Sequence, residues 1–306
     1  MQLQNILVPT DFSPCASHAL TQAVDLAHRR DATLHVVHIV NELSPSWYGL
    51  DAAREQAESI QRLIESEAMD RLEALVPPSG EISVRADVDV QVSFDVAEAI
   101  ESNIEERSID LVVMGMRGHA DDERLGHVAH EIIRHAPCPV LAVNEQAPWA
   151  TADEQIGHDD LLVPIDFSEA SEAALVTARE WAEWYGARLH LLFVGEQRLV
   201  PTFSDIGVPT VQRLDMDDTM IENAEAALQQ LYESGDGPTG PVSYHVVQGH
   251  VAEEVLDYAE THGMSLIVMA PRGLSGMQRF LLGSNTERVV RLAPCPVLTL
   301  RQSQDA

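Results

Sequence analysis

The sequence predicts an α/β fold: two tandem doubly wound domains, each a five-stranded parallel sheet flanked by helices. Three observations carry this. The chain repeats itself, since Ile6-Leu7-Val8-Pro9-Thr10-Asp11-Phe12-Ser13 returns as Leu161-Leu162-Val163-Pro164-Ile165-Asp166-Phe167-Ser168. Likewise Ala136-Pro137-Cys138-Pro139-Val140-Leu141 returns as Ala293-Pro294-Cys295-Pro296-Val297-Leu298. A period of 155 residues (Asp166 minus Asp11) is a duplicated domain, not a solenoid repeat. Within each copy, short apolar runs alternate with amphipathic helical runs, the pattern of a parallel sheet covered on both faces. Finally, in each copy the fourth strand opens into a Gly-bearing loop that closes onto a helix, and ligands of such sheets bind beyond strand C-termini where strand order reverses.

In chain order, the first copy opens with a strand over Asn5–Pro9. Asp11 and Ser13 then form a capping pattern for a helix over about residues 14–30, apolar at Ala16, Leu20, Ala23, Val24 and Ala27. A second strand runs from Thr33 to Val40, nearly all apolar apart from His35 and His38, which are expected to be buried and hydrogen-bonded, as is His190 in the second copy. A loop with Pro45, Trp47, Tyr48 and Gly49 precedes a long helix over about 51–75, whose stripe of Ile60, Leu63, Ile64, Leu72 and Leu75 is expected to face the core. Pro77-Pro78-Ser79-Gly80 ends it. A third strand within about 82–90, a helix over Val96–Arg107, a strand over Leu111–Met114, a helix over about Val128–His135 and a strand over Val140–Val143 complete the copy. The second copy repeats the plan, with helices over about Glu169–Tyr185 and Val211–Tyr232, strands over Leu189–Val194 and Val242–Val247, and the turn-rich break Gly235–Pro241 between the last two of these elements. The expected boundaries are 1–145 for the first domain, 146–158 for a polar linker and 159–306 for the second domain.

Composition narrows the function. The 306 residues are 45% hydrophobic, enough for two cores of ordinary size. Against 49 acidic residues stand 19 basic ones, giving a net charge of −30, and all 19 are arginine. The excess is spread evenly, so electrostatics argue against nucleic acid or an anionic membrane as partner. Without lysine no G-x-x-x-x-G-K-[ST] loop exists, which excludes a Walker-type NTPase. The apolar runs are too short to span a membrane and no charged-then-apolar leader is seen, so a cytoplasmic location is expected. Three cysteines make no disulfide framework; Cys138 and Cys295 sit at equivalent positions between prolines, and Cys15 reads as helix packing.

The stretch Met269–Ser284, M-A-P-R-G-L-S-G-M-Q-R-F-L-L-G-S, carries the most chemistry. A buried strand precedes it and a helix follows, with Gly283-Ser284 at the junction and Ser284 as the expected capping hydroxyl. Unpaired backbone N–H groups and the positive end of the helix dipole converge there, a place that suits phosphate. Arg272 and Arg279 lie within the loop. From the loop alone, an ordinary strand-to-helix connection with glycines for tight turns reads equally well. In the first copy the corresponding residues are Gly115, Gly118, Gly126 and His127, and the spacer is two residues shorter and carries Asp121-Asp122-Glu123. Those carboxylates disfavour an anion. His119, His127 and His130 are close enough to suggest a metal, although surface histidines are the commoner outcome.

Three features of each half, the opening V-P-x-D-F-S, the Gly loop after the fourth strand and the terminal A-P-C-P-V, resemble universal stress protein domains. The whole chain is similar to a tandem member of that family, which implies the adenine nucleotide alpha hydrolase-like fold. Nucleotide-binding members carry G-x2-G-x9-G-[ST]. Here the pattern falls on Ala270, Gly273, Gly283 and Ser284, with alanine replacing the first glycine. The resemblance implies an adenine nucleotide, ATP, ADP or AMP, with Mg2+ as a partner of its phosphates. It implies that Pro164, Ile165 and Asp166 border the adenosine, with the Asp166 carboxylate on a ribose hydroxyl or behind Mg2+. Val194 would offer its backbone to the adenine edge. Met269, Ala270, Arg272, Gly273, Gly283, Ser284 and Asn285 would line the phosphate side. Capping together with Ser168 remains an alternative role for Asp166, and core packing one for Val194. The first copy's equivalents, Thr10, Asp11, Ile39, Gly115, Gly118, Gly126 and His127, would form a degenerate site.

No activated nucleophile, shared acid–base pair or metal motif stands out. The leading expectation is therefore an ATP-binding stress-response or regulatory module without robust catalysis, with an unknown protein partner. The alternatives are a slow ATP hydrolase or ATP-using enzyme of the same superfamily, and a ligand-free assembly protein. The pyrophosphatase-type enzymes of that superfamily carry a Ser/Gly-rich loop after the first strand, which Pro164-Ile165-Asp166-Phe167-Ser168 lacks. Each copy ends in an apolar edge strand that needs covering. Family members dimerise through these strands, so the resemblance implies an intramolecular pseudo-dimer, with a homodimer as the alternative.

Overall fold

The computed structural model describes residues 2–42, 51–75, 84–118, 125–145, 160–196, 198–203, 209–214, 216–271 and 282–300. The chain divides into two compact units, Met1–Glu154 and Gln155–Ala306. The linker expected at 146–158 lies outside the described residues.

The first unit runs β1 (Asn5–Pro9), α1 (Pro14–Arg30), β2 (Thr33–Asn41), α2 (Asp51–Leu75), β3 (Arg85–Ser93), α3 (Val96–Glu106), β4 (Leu111–Gly115), α4 (His127–His135) and β5 (Val140–Val143). All its pairings are parallel, in the order β3-β2-β1-β4-β5. Strands β1, β4 and β5 are buried over almost their whole length because helices cover both faces. The order turns back on itself between β1 and β4, so their C-terminal ends flank the crevice where such sheets bind ligands.

Helix α1 starts at Ser13, whose hydroxyl accepts the Ala16 N–H, while Asp11 Oδ1 accepts the Ser13 N–H at 3.0 Å. The turn between strand and helix holds Phe12 at φ 63, the left-handed region a bulky side chain avoids, and Phe167 sits in the same turn of the second unit at φ 60. Helix α1 ends at Asp31, also left-handed at φ 52 and ψ 37, where the second unit has Gly186 at φ 67. Two expectations need correction. The third strand lies three residues later than the pattern suggested. Of the α2 stripe, Leu72 is fully buried, whereas Ile60 is 44% and Leu63 67% exposed, with Ile64 exposed as well. Among the described side chains of that helix, those that reach the core are in its second half, Ala68 and Leu72.

The second unit runs β6 (Asp160–Ile165), α5 (Glu169–Tyr185), β7 (Arg188–Glu196), β8 (Arg198–Phe203), β9 (Pro209–Leu214), α6 (Asp218–Ser234), β10 (Val242–Gly249), α7 (Val251–Thr261), β11 (Leu266–Met269), α8 (Ser284–Leu292) and β12 (Val297–Thr299). Its main sheet repeats the first in the order β10-β7-β6-β11-β12, again all parallel. One element was not anticipated: β8 and β9 form an antiparallel hairpin. The helix expected from Val211 therefore begins only at Asp218, where Asp217 caps it by accepting the Met220 N–H at 2.8 Å. The β-branched Thr210 and Val211 belong to the hairpin.

The three thiols are buried, and Cys15 Sγ donates to the Val143 carbonyl at 3.0 Å. Burial pushes Cys295 up to about 12 and raises Cys15 as well, so neither is a thiolate near neutrality. Among the described residues no helix is long and apolar enough to cross a membrane.

Candidate functional site

A cleft of about 460 Å³ opens beyond the C-terminal ends of β6, β7 and β11 in the second unit. Its floor is the end of β6, where Pro164, Ile165 and Asp166 reach the reversal of strand order. One wall is the end of β7, Leu192 to Glu196; the opposite wall is Met269 at the end of β11 and Ala270 just after it, with the first residues of α8. Met216 and Val251 close the rim.

Each wall follows from local sequence. Gly195 lets β7 pass close to Met216, since a β-carbon there would meet Sδ, part of a flexible side chain that would have to move. The Met216 backbone is held by its N–H, which donates to Gln248 Oε1 at 2.9 Å. The Phe167 and Phe193 rings pack with centroids 5.3 Å apart beside the floor. Asp166 Oδ1 accepts from the Ser168 N–H at 3.1 Å and from its hydroxyl at 2.6 Å, while Ser168 Oγ accepts the Ser171 N–H. The carboxylate is thereby held at the strand end, and the capping hydroxyl belongs to Ser168.

Helix α8 differs from expectation at its start. Its N-cap is Gly283, at φ −62 and ψ 138, which has no side chain to cap the helix; Ser284 is the first helical residue. The Gly283 N–H donates to the Pro271 carbonyl at 2.9 Å, so that amide is committed to the loop. Thr286, unnoticed in the sequence, is 3% exposed and ties the helix to β11 by donating its hydroxyl to the Ala270 carbonyl at 3.1 Å. The first-turn amides of Ser284, Asn285 and Thr286 have no carbonyl one turn back within the helix. Ser284 and Asn285 line the cleft, so the positive end of the helix faces it. Ala270 is not left-handed, and its methyl is accommodated in the buried wall.

Of the residues the sequence assigns to this site, Pro164, Ile165, Asp166, Val194, Met269, Ala270, Gly283, Ser284 and Asn285 all line the cleft. Arg272 and Gly273 lie outside the described residues, as does Arg279. Thr286, Met216 and Phe193 were missed, and only for Phe193 was there a signal, its place directly before Val194. The only charged side chains lining the described cleft are the carboxylates of Asp166 and Glu196.

The first unit arranges the equivalent residues differently. Thr10 is buried, its carbonyl accepting from His38 Nδ1 at 2.7 Å, and Ile39 is half-buried at the end of β2. The Phe12 ring packs 4.5 Å from the His38 ring and lies beneath the Arg71 guanidinium of α2, 4.2 Å away. Gly115 ends β4 against α1, since a β-carbon there would be 2.9 Å from Cys15 and Ala16 backbone atoms. Asp11 crowds the glycine loop: a β-carbon on Gly118 would lie 2.7 Å from Asp11 Oδ2. Gly126 caps α4 without a side-chain bond, and His127 is the first helical residue. Asp121, Asp122, Glu123 and His119 lie outside the described residues.

The order of strands, the reversal beside β1 and β6, and a helix start aimed across it define an adenine nucleotide alpha hydrolase-like fold, present twice. The chain belongs to the universal stress protein family, whose model matches residues 2–144 and 158–301. It is 26% identical over 306 residues to universal stress protein Rv2623 of Mycobacterium tuberculosis, covering 97% of this chain and 96% of that one. Universal stress protein YxiE of Bacillus subtilis is 34% identical over 146 residues, 46% of this chain and 97% of its own. Among solved structures, a universal stress protein from Archaeoglobus fulgidus superposes with a TM-score of 0.65 at 21% identity, covering 99% of this chain and 97% of that one.

Proposed function

We propose that the protein is a ligand-sensing module of the stress response whose second unit binds an adenine nucleotide, and whose first unit has lost that capacity. The observation that supports it best is the uncapped start of α8 facing a cleft at the point of strand reversal. In this reading the base lies between Ile165 and Val194, with the Val194 backbone meeting its edge. Asp166, held by Ser168, accepts a ribose hydroxyl. The amides of Ser284 and Asn285 donate to the phosphates. With two carboxylates lining the described cleft, a polyphosphate needs a counter-cation, and Asp166 is the group that would hold Mg2+ in its outer shell. That ion would neutralise phosphate charge. In the first unit the shortened spacer carries Asp121-Asp122-Glu123, carboxylates in the loop that would have to admit phosphate. Nucleotide is ligand first in this reading, and binding is the signal.

The test is native mass spectrometry of the gently purified chain, with release and identification of small molecules, followed by calorimetry with ATP, ADP and AMP. One nucleotide per chain is expected, lost in Asp166→Ala. Two equivalent sites per chain, or no binding of any adenine nucleotide, would overturn the assignment.

A further inference from the structure

At the end of the second unit's sheet remote from the cleft, five polar side chains form one stack. Asp160 begins β6, His190 lies on β7, His245 on the edge strand β10, Tyr258 on α7 and His262 at the C-cap of α7. Asp160 Oδ1 is 2.8 Å from His190 Nε2, and the Tyr258 hydroxyl is 2.9 Å from His190 Nδ1. An ionised carboxylate only accepts, so Nε2–H donates to Asp160 and Nδ1 accepts the Tyr258 O–H. Burial, and then Asp160, push Tyr258 up to about 12, which keeps it a donor. A neutral His190 therefore satisfies both of its ring nitrogens.

The His245 ring stacks on His190, centroids 5.6 Å apart and planes 9° from parallel, and packs 5.0 Å from the Tyr258 ring. The His262 ring stacks on Tyr258 at 4.0 Å, and its Nδ1 donates to the Tyr258 carbonyl at 3.0 Å. His245 Nε2 is buried without a hydrogen-bond partner among the described residues. A proton added there would have no acceptor, the costly situation for a buried polar group. The groups facing His245 are His190 from β7, His262 from α7 and Glu225 from α6, with Asp160 of β6 behind His190. Asp160 thus hydrogen-bonds His190 and Glu225 faces His245, two carboxylates against three imidazoles.

The first unit solves the same packing problem with fixed charge. Strand register makes Asp89 the counterpart of His245, since His245 pairs with Leu192 and Asp89 with Val37. Helix numbering makes Arg107 the counterpart of His262. Arg107 Nη2 meets Asp89 Oδ2 at 2.6 Å, and its other nitrogen pairs with Asp87. His35, the counterpart of His190, stands beside this pair with Nδ1 3.3 Å from Arg107 Nη1 and 3.5 Å from Asp87 Oδ2, so the first unit keeps one imidazole but puts fixed charges where the second has His245 and His262.

We propose that the His190–His245–Tyr258–His262 stack is a proton-operated latch, clamping α7 to β7 and β10 while His245 is neutral and releasing α7 when that ring gains a proton. Burial first, then the two neighbouring imidazoles, lower the pKa of His245, while Glu225 acts in the opposite sense. A histidine whose folded pKa lies below its unfolded value contributes stability that is fully present above the unfolded value and is lost as pH falls below it. The window therefore opens on the acid side of about 6.5. Val251, the first residue of α7, lines the cleft, so release of this helix reaches the cleft rim.

Hydrogen exchange of the full chain tests this at about pH 7.5 and about pH 5.5, a unit either side of an unperturbed imidazole, after correction for intrinsic rates. Protection of α7 is expected to fall by up to about tenfold more than that of α3, its counterpart in the first unit, since one imidazole a pH unit below its unfolded value contributes no more than that factor. His245→Phe keeps a ring in the stack but takes no proton, and should abolish the difference. Equal acid responses of α7 and α3 overturn the latch, as does a His245→Phe chain that still loosens α7. Should that variant fail to fold, the comparison of the two helices in the unaltered chain decides alone.

Discussion

Replacing Gly283 with aspartate separates the stability of helix α8 from its capacity to hold an anion, because the two effects have opposite signs. Gly283 is the N-cap at φ −62 and ψ 138, a conformation open to any residue, and as glycine it brings no capping side chain of its own. Aspartate is a favoured N-cap, worth a few tenths of a kcal/mol over glycine, so the fold should be unharmed or slightly stabilised. Its carboxylate would accept the first-turn amides assigned here to phosphate. It would also stand about 5 Å from the phosphate charge, where an effective dielectric of about 20 gives a repulsion of about 3 kcal/mol. That is a loss of about 100-fold in affinity. Gly126→Asp is the matched control, since Gly126 caps α4 at φ −60 and ψ 145. It makes the same chemical change in the unit that should not bind. Calorimetric titration with ATP and thermal melts of both variants provide the assay. Expected is a melting point for Gly283→Asp at or above that of the unaltered chain with binding nearly abolished, and Gly126→Asp indistinguishable in binding. If Gly283→Asp binds within about threefold of the unaltered chain, or Gly126→Asp weakens binding as much, the phosphates are not held at α8 and the argument from its open start fails.

Two further expectations concern stability. A chain of net charge −30 repels itself, so its melting point should rise from low to molar NaCl as screening shortens the Debye length from about 10 Å toward 3 Å; a flat response beside an uncharged osmolyte control would leave the acidity without a role in folding. Asp31 ends α1 in the left-handed region where its counterpart is Gly186, so Asp31→Gly should stabilise the first unit by about 0.5–1 kcal/mol and Gly186→Ala destabilise the second by at least as much. Denaturant melts in which Asp31→Gly lowers the midpoint would show that the exposed Arg85 contact to Asp31, rather than backbone strain, governs that turn.

The sheet was legible because its strands are buried on both faces and read as uninterrupted apolar runs, such as Leu161-Leu162-Val163 and Leu266-Ile267-Val268. The repeat then aligned the elements of one unit with the other's. What failed to read has physical causes. Spacing tells which residues share a face of α2, but whether anything covers that face depends on where the helix crosses its sheet, and Ile60 and Leu63 lie beyond the covered part. The hairpin β8–β9 hides because Thr210, Val211 and Leu214 suit either period over so short a run. At the cleft, the floor and both walls followed from the ends of strands, whereas Thr286 acts through its contact with Ala270, which no local spacing announces. The histidine stack is less visible still, since Asp160, His190, His245 and Tyr258 are brought together by register. Reading one copy against the other would have found it, from Arg107 and Asp89 exchanged for imidazoles.

The buried thiols give each unit a built-in counter for its own opening. Cys15 and Cys138 lie in the first unit and Cys295 in the second, all buried. An alkylating reagent therefore reaches two sulfurs only when the first unit opens and one only when the second does. After a short pulse, the mass of the intact chain sorts molecules by which half has breathed, with no label added. The absence of lysine leaves the remaining surface inert to amine chemistry, except at the N-terminus, so a second reagent can be combined with the first without crossing signals.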